Sequence, residues 1–182
     1  MRKLFLIMLL SLIAYSSNLS TLYHYYEKQE YDKGCDYAMK YYSKNKNDEK
    51  FVALYGLSCL ETNNIHRIAT PMIVLKDTKS SRENASYFGT ILLQKQLLKQ
   101  AILDGKDLSN LRLPKTNFVL SKIFNLFVDK KYTLKDGVYR LKDSKDKDMS
   151  YQVYLEKDKK DIDYMIIDIY EKDKFIKRYR YK

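Results

Sequence analysis

Two cysteines, two histidines and a cationic C-terminal segment are the residues of this chain whose types suit chemistry. Cys35 and Cys59 are not spaced as Cys-x-x-Cys, the arrangement that poises a thiol for exchange, so dithiol redox chemistry is not expected. In a reducing compartment they read as two small buried residues, and in an oxidising one as a candidate bridge. His24 and His66 have no neighbouring His, Cys or carboxylate at ligand spacing. Zinc needs three or four ligands, so both histidines read as surface or half-buried helix residues, and no metal or cofactor is expected. No Ser-His-Asp order stands out, and the five glycines are too scattered to build a phosphate loop. Asp161, Asp163 and Asp168 are close together, but no second acidic cluster completes a paired-carboxylate hydrolase. The chain reads as a non-enzyme.

The segment Lys172–Lys182 carries six cations against Asp173. On a strand, Ile176, Arg178 and Arg180 would share one face, and Phe175, Lys177, Tyr179 and Tyr181 the other. Lys177, Arg178 and Arg180 beside tyrosines suit phosphate, carboxylate or sugar groups, which makes them candidate anion-binding residues. The competing reading is an edge strand guarded by charge against sheet-to-sheet association.

Whichever chemistry applies, the first sixteen residues say where it would operate. Arg2 and Lys3 precede an apolar run from Leu4 to Tyr15, and Ala14 and Ser16 put small residues at the −3 and −1 positions of a cleavage site. As a helix the run reaches roughly 18 Å against a hydrocarbon core of about 30 Å. A cleaved export signal over residues 1–16 is therefore expected, with an uncleaved anchor or a buried helix as alternatives. The protein would be periplasmic in a source with two membranes and otherwise secreted, with no transmembrane span after processing. Removing Arg2 and Lys3 lowers the net charge from +11 to +9. Outside the cytoplasm a basic chain meets anionic lipid, wall polymer or acidic proteins rather than nucleic acid. Lysines alternate with acidic residues through 142–147 and 156–163, so much of the charge also reads as a solvated surface.

The elements that must position these residues change character near residue 130. Apolar residues recur at three- and four-residue spacing up to Val128, which predicts helices near 20–31, 33–44, 49–62, 65–77, 82–103 and 116–128. Asp48 is placed to cap one of them, Ser80 and Glu83 are spaced as a capping box, and Asp104-Gly105 supplies a stop. Beyond 130 the period is two. Tyr132–Leu134 and Val138–Leu141 flank Asp136-Gly137, a hairpin dipeptide, and further strands are expected at 150–157, 162–171 and 175–181. The fold class is therefore α+β. A helical-hairpin region (17–128) precedes a small antiparallel sheet region (129–182) packed on the last helix, around Ile123, Phe124 and Phe127.

The helical half carries an internal period. Tyr31 and Ile65 lie 34 residues apart, as do Gln29 and Asn63, Gly34 and Ile68, and Leu22 and Gly56. The segment Tyr25–Gly34 resembles the middle of a tetratricopeptide repeat, and Tyr55-Gly56 resembles that family's leucine-glycine pair. The resemblance covers roughly residues 17–80 and departs at Pro71, which is expected to shorten or kink the fourth helix. It implies stacked antiparallel helical hairpins with a groove for a protein or peptide partner. By position in the motif, Tyr23, Tyr26 and Glu27 from one unit and Leu57, Leu60 and Glu61 from the next would line that groove, unless the long helix 82–103 fills it. The same frame puts Cys35 and Cys59 on packed helices, so after export a Cys35–Cys59 disulfide is expected. The leading expectation is an exported, non-enzymatic interaction or scaffold protein of the cell envelope. The alternative is an anionic-surface binder acting through Lys177, Arg178 and Arg180, in peripheral contact with lipid head groups or wall polymer.

Overall fold

A computed structural model of the chain describes residues 17–143 and 146–182, so the expected export signal lies outside the described residues. The fold is α+β: helices α1 (Asn18–Glu27), α2 (Tyr31–Asn45), α3 (Glu49–Glu61), a 3-10 turn (Ile65–Ile68), α4 (Ala69–Val74), α5 (Lys79–Asp104) and α6 (Val119–Val128) precede strands β1 (Tyr132–Lys135), β2 (Val138–Lys142), β3 (Met149–Lys157), β4 (Asp163–Glu171) and β5 (Lys174–Tyr181). No described helix is long and apolar enough to cross a membrane. The chain divides into two units between Phe88 and Gly89, inside α5, rather than at residue 128.

In the first unit, α1 and α3 end in the same way, 34 residues apart. Gln29 (φ 58°) and Asn63 (φ 64°) take the left-handed conformation. The following N–H groups reach back five residues, from Glu30 to the Tyr25 carbonyl (2.9 Å) and from Asn64 to that of Cys59 (2.8 Å). The first helix therefore stops at Glu27, short of the predicted residue 31. An equivalent closure at Lys130 ends α6, so it is a general stop and not a signature of the repeat. Asp48 caps α3 as expected, its Oδ1 accepting from the N–H groups of Lys50 (3.0 Å) and Phe51 (3.2 Å). The predicted helix 65–77 is instead a 3-10 turn followed by the six-residue α4. Pro71 has no N–H to donate to the preceding turn, which accounts for the short element.

The core of this unit includes Leu22, Cys35, Ala38, Phe51, Val52, Cys59, Ile68 and Phe88, none of them measurably exposed. The Cys35–Cys59 disulfide is present and ties α2 to α3. Gly56 allows the closest approach: a Cβ there would lie 2.4 Å from the Phe88 ring and 3.1 Å from Pro71. The glycine of the Tyr55-Gly56 pair is thus the seat of the first part of α5. The expected Ser80–Glu83 capping box is not formed. Thr78 caps α5 instead, its Oγ1 accepting from the Ser81 N–H (3.1 Å), while Glu83 faces Lys79 (3.9 Å).

Glu49 fastens the approach to α5. Its carboxylate accepts from the N–H groups of Lys76 (2.7 Å), Asp77 (2.9 Å) and Thr78 (3.1 Å). The Ser81 hydroxyl, ahead of these amides, holds its pKa down at about 2, against an ordinary 4.5. Between those values the unfolded chain takes up a proton that the folded chain refuses. The stabilisation is therefore complete above pH 4.5 and lost as the pH falls to about 2. Glu49→Gln is expected to lower the melting temperature at neutral pH, with the deficit closing as the pH approaches 2. Thermal melts of both chains across that range measure this. A deficit that does not change with pH would mean that the carboxylate charge is not what holds the segment.

The second unit runs from Gly89. The sheet has the strand order β1-β2-β3-β4-β5, antiparallel throughout. Asp136 (φ 53°) and Gly137 (φ 74°) form the expected tight hairpin between β1 and β2. One face of the sheet carries Leu141, Tyr151, Val153, Met165, Ile167 and Tyr181, all buried. As expected, α6 joins this face: Phe127 stacks on Tyr132 (4.8 Å) and meets Tyr139 (5.1 Å). The rest of α5 is joined to the unit by side chains. Gln94 donates to Ser121 Oγ (3.2 Å), Lys99 to the Asp163 carbonyl (2.8 Å) and Lys95 to the Lys182 carbonyl.

Candidate functional site

Tyr26 stands in the last turn of α1, Tyr31 opens α2, and their rings meet edge to face with centroids 5.2 Å apart. Glu61 is the last residue of α3, and Tyr87 lies on the first part of α5. Burial raises the pKa of Tyr26, and the charge of Glu61 raises it further; burial, Glu61 and Tyr26 do the same for Tyr87. Glu61 therefore lies within electrostatic reach of both phenols. The three rings are half-buried, whereas Glu61 is exposed. Tyr26 and Tyr31 thus form a ring pair across the α1–α2 turn.

Two of these residues, Tyr26 and Glu61, were expected to face a groove; Tyr31 and Tyr87 were not. Tyr31 was legible only as a helix start in the 34-residue period. Tyr87 had no sequence signal, because its position follows from Phe88 seating against Gly56. Tyr23 is 51% exposed, and Glu27, an exposed residue one turn along α1, is the main cause of the raised Tyr23 pKa. Tyr23 also borders a shallow apolar groove of about 470 Å³ with Leu19, Lys50 and Leu54. Leu57 is half-buried. Leu60 corrects the expectation. At 2% exposure it belongs to the core and offers nothing to a partner, because α3 turns that side of its last turn inward.

The anion-binding candidates lie on β5, an edge strand of the sheet. Arg178 is committed within the fold. Its Nε and Nη2 grip both oxygens of Asp168 (2.7 and 2.8 Å), and the Tyr154 hydroxyl donates to the same carboxylate (3.1 Å). Arg180 lies 3.7 Å over the Tyr164 ring and 3.8 Å from Glu156, while Lys177 extends over Tyr179 (4.7 Å). The expected grouping on β5 also changes. Ile169 pairs with Lys177 but Tyr170 with Phe175, so Ile176 is an extra residue in a bulge. The bulge moves Phe175 off the Lys177–Tyr179–Tyr181 face and against Tyr170, with ring centroids 5.9 Å apart. Asp161, Asp163 and Asp168 do not converge: Asp161 pairs with Lys157 (2.8 Å), Asp163 opens β4, and Asp168 is buried under Arg178. Among the described residues no group of His, Cys, Asp or Glu is arranged to hold a metal ion.

Charge separates the two units. Residues 17–88 hold ten lysines and arginines against nine acidic residues, while residues 89–182 hold 22 against 14. The basic character of the chain therefore resides in the unit with the sheet. Compared with protein-family models, curated proteins and solved structures, the chain matches none.

Proposed function

We propose that this chain is an exported, non-enzymatic interaction protein of the cell envelope that binds a protein or peptide partner through its helical unit. The observation that carries the reading is the edge-to-face pair of half-buried Tyr26 and Tyr31 at the α1–α2 turn, with exposed Tyr23 and Glu27 on the same helix as Tyr26. Tyrosine combines a large contact area with few rotatable bonds, and partly exposed clusters of it are favoured in recognition surfaces. The apolar start of the chain and the disulfide fit an oxidising compartment. The tetratricopeptide resemblance gives the same class of partner. The second reading, an anionic-surface binder, is favoured by the excess of cations in the sheet unit, with Lys177 as its most available contact.

A photo-crosslinking residue placed at Tyr23, in parallel with one at Lys174, tests the choice in the native cell. Adducts from position 23, on a chain whose mass begins at Ser17, are expected, with none from position 174. Adducts from position 174 alone would favour the sheet reading, and a retained N-terminal segment would refute cleavage.

A further inference from the structure

In the sheet unit a cavity of about 190 Å³ is lined by the loop after α5, the end of α6 and the first two strands. Its apolar wall includes Phe127, Tyr132 and Tyr139. These rings touch one another (Phe127 to Tyr132 4.8 Å, Tyr132 to Tyr139 5.2 Å), so a ligand lies against them and not between them. Its polar wall is made by Lys106 and Asp107 from the loop and by Lys130 from the turn that ends α6. Asp107 is held by its own loop. Its Oδ1 accepts from the Ser109 N–H (3.0 Å) and its Oδ2 from the Ser109 hydroxyl (2.9 Å). Those two bonds, with a smaller part from the charge of Lys130, keep its pKa below the ordinary value. The carboxylate is therefore ionised at neutral pH and keeps lone pairs that accept from a further hydroxyl. Lys106 and Lys130 are exposed, and the neighbouring ion pairs join Lys131 to Asp129 and Lys122 to Asp143. Among the described residues neither Lys106 nor Lys130 is in an ion pair.

Size and chemistry select the ligand. A cavity of about 150 Å³ holds a benzene ring, so this one admits a single six-membered ring with its substituents. Aromatic faces carry negative quadrupole charge, which suits the slightly positive C–H groups along a sugar ring. The polar wall offers donors and an acceptor together, which ring hydroxyls use and a plain aromatic ring does not. Two ammonium groups without a carboxylate partner favour an anionic substituent. We propose that this cavity is a binding site for a single sugar ring that carries a carboxylate. The ring lies against Tyr132 and Tyr139, its hydroxyls reach Asp107, and its carboxylate meets Lys106 and Lys130. The site goes beyond the peptide-binding reading of the helical unit and uses none of the cations of β5.

The test titrates the full exported chain, carrying 13C-labelled tyrosines, with D-glucuronate, D-glucose and benzoate. Glucuronate is expected to shift the Tyr132 and Tyr139 ring signals and to bind at least about fivefold more tightly than glucose, which lacks the charge. Benzoate keeps the carboxylate without the hydroxyls and is expected to bind more weakly than glucuronate. Lys106→Gln combined with Lys130→Gln is expected to bring glucuronate down to the level of glucose. Both side chains are exposed, and thermal melts confirm that this variant folds. The control Lys177→Gln, on β5, is expected to leave binding unchanged. The site is refuted if neither ring signal shifts, if glucose binds as tightly as glucuronate, or if Lys177→Gln weakens binding as much as the paired substitution. Benzoate binding as tightly as glucuronate would overturn the assignment to a sugar. Cross-linking from position 23 reads the other unit, so the two proposals fail separately.

Discussion

Replacing Cys35 and Cys59 together with alanine is expected to cost the helical unit about 3 kcal/mol of unfolding free energy. The cysteines are 24 residues apart, and the bridge closes a loop that takes in the last part of α2 and most of α3. In the unfolded chain that closure removes conformations, and the entropy withheld from the unfolded state is the larger part of the stabilisation in the chain-entropy model. Packing adds to it. Both sulfurs are fully buried, and Arg67, which pairs with Asp36 (2.7 Å), also places Nη1 3.3 Å from Cys35 Sγ. Urea unfolding followed by hydrogen exchange resolves the effect by unit: amides of α2 and α3 lose protection, while those of β3 and β4 keep theirs. Uniform loss across the sheet would mean that the two units unfold as one, and no loss would mean that the bridge is incidental. The same experiment on chain made in a reducing cytoplasm is expected to match the alanine variant, which links the stability of the helical unit to export.

Arg178→Ala is expected to destabilise the sheet by about 3 kcal/mol, although Arg178 lies on an edge strand with its side chain 48% exposed. The cause is the residue beneath it. Asp168 is 2% exposed in the middle of β4 and depends on two bonds from Arg178 and one from the Tyr154 hydroxyl. Without the guanidinium, an ionised carboxylate is left buried with one donor. Asp168→Asn is expected to cost less, because it removes the charge together with the need for it. Asp168→Asn combined with Arg178→Ala is expected to be less damaging than the sum of the two, and this double-mutant cycle measures the coupling. Additive losses would show that the pair contributes nothing beyond its separate packing. One consequence is practical. Loss of anion binding in Arg178→Ala would report an unfolded sheet rather than a lost contact, so Lys177→Ala is the substitution that probes the anionic-surface reading.

Local features of the chain were legible wherever the chemistry was local. The Asp136-Gly137 hairpin, the Asp48 cap and the stop at Gly105 (φ 69°) each depend on one or two residues and their own backbone. The alternation along β3 and β4 placed their buried faces correctly, since both strands pair in continuous register up to the bulge. Errors arose where a remote contact decided the outcome. The extra residue at Ile176 reversed the face of Phe175, because a bulge is a property of two strands and not of one. Ser80 and Glu83 have the spacing of a capping box, yet α5 begins earlier, where Glu49 of α3 holds the approaching backbone. Leu60 occupies a groove position in the motif and is buried in the unit that was actually built.

The candidate site divides in the same way. Tyr26 and Glu61 were named from their positions in a 34-residue period of the sequence. Spacing alone could name them, because each lies near a helix end that the period marks. Tyr87 was beyond its reach: its place depends on a ring seated against a glycine more than thirty positions earlier. The sequence by itself determined the fold class, the cysteine pair, the helix-to-strand transition and the basic excess, because patterning, composition and short-range turn chemistry carry them. Only the tertiary structure decided that Tyr26 meets Tyr31, and that Arg178 grips the buried Asp168. Both are outcomes of packing between separate elements, where a single close contact or an extra residue in a strand outweighs local preference.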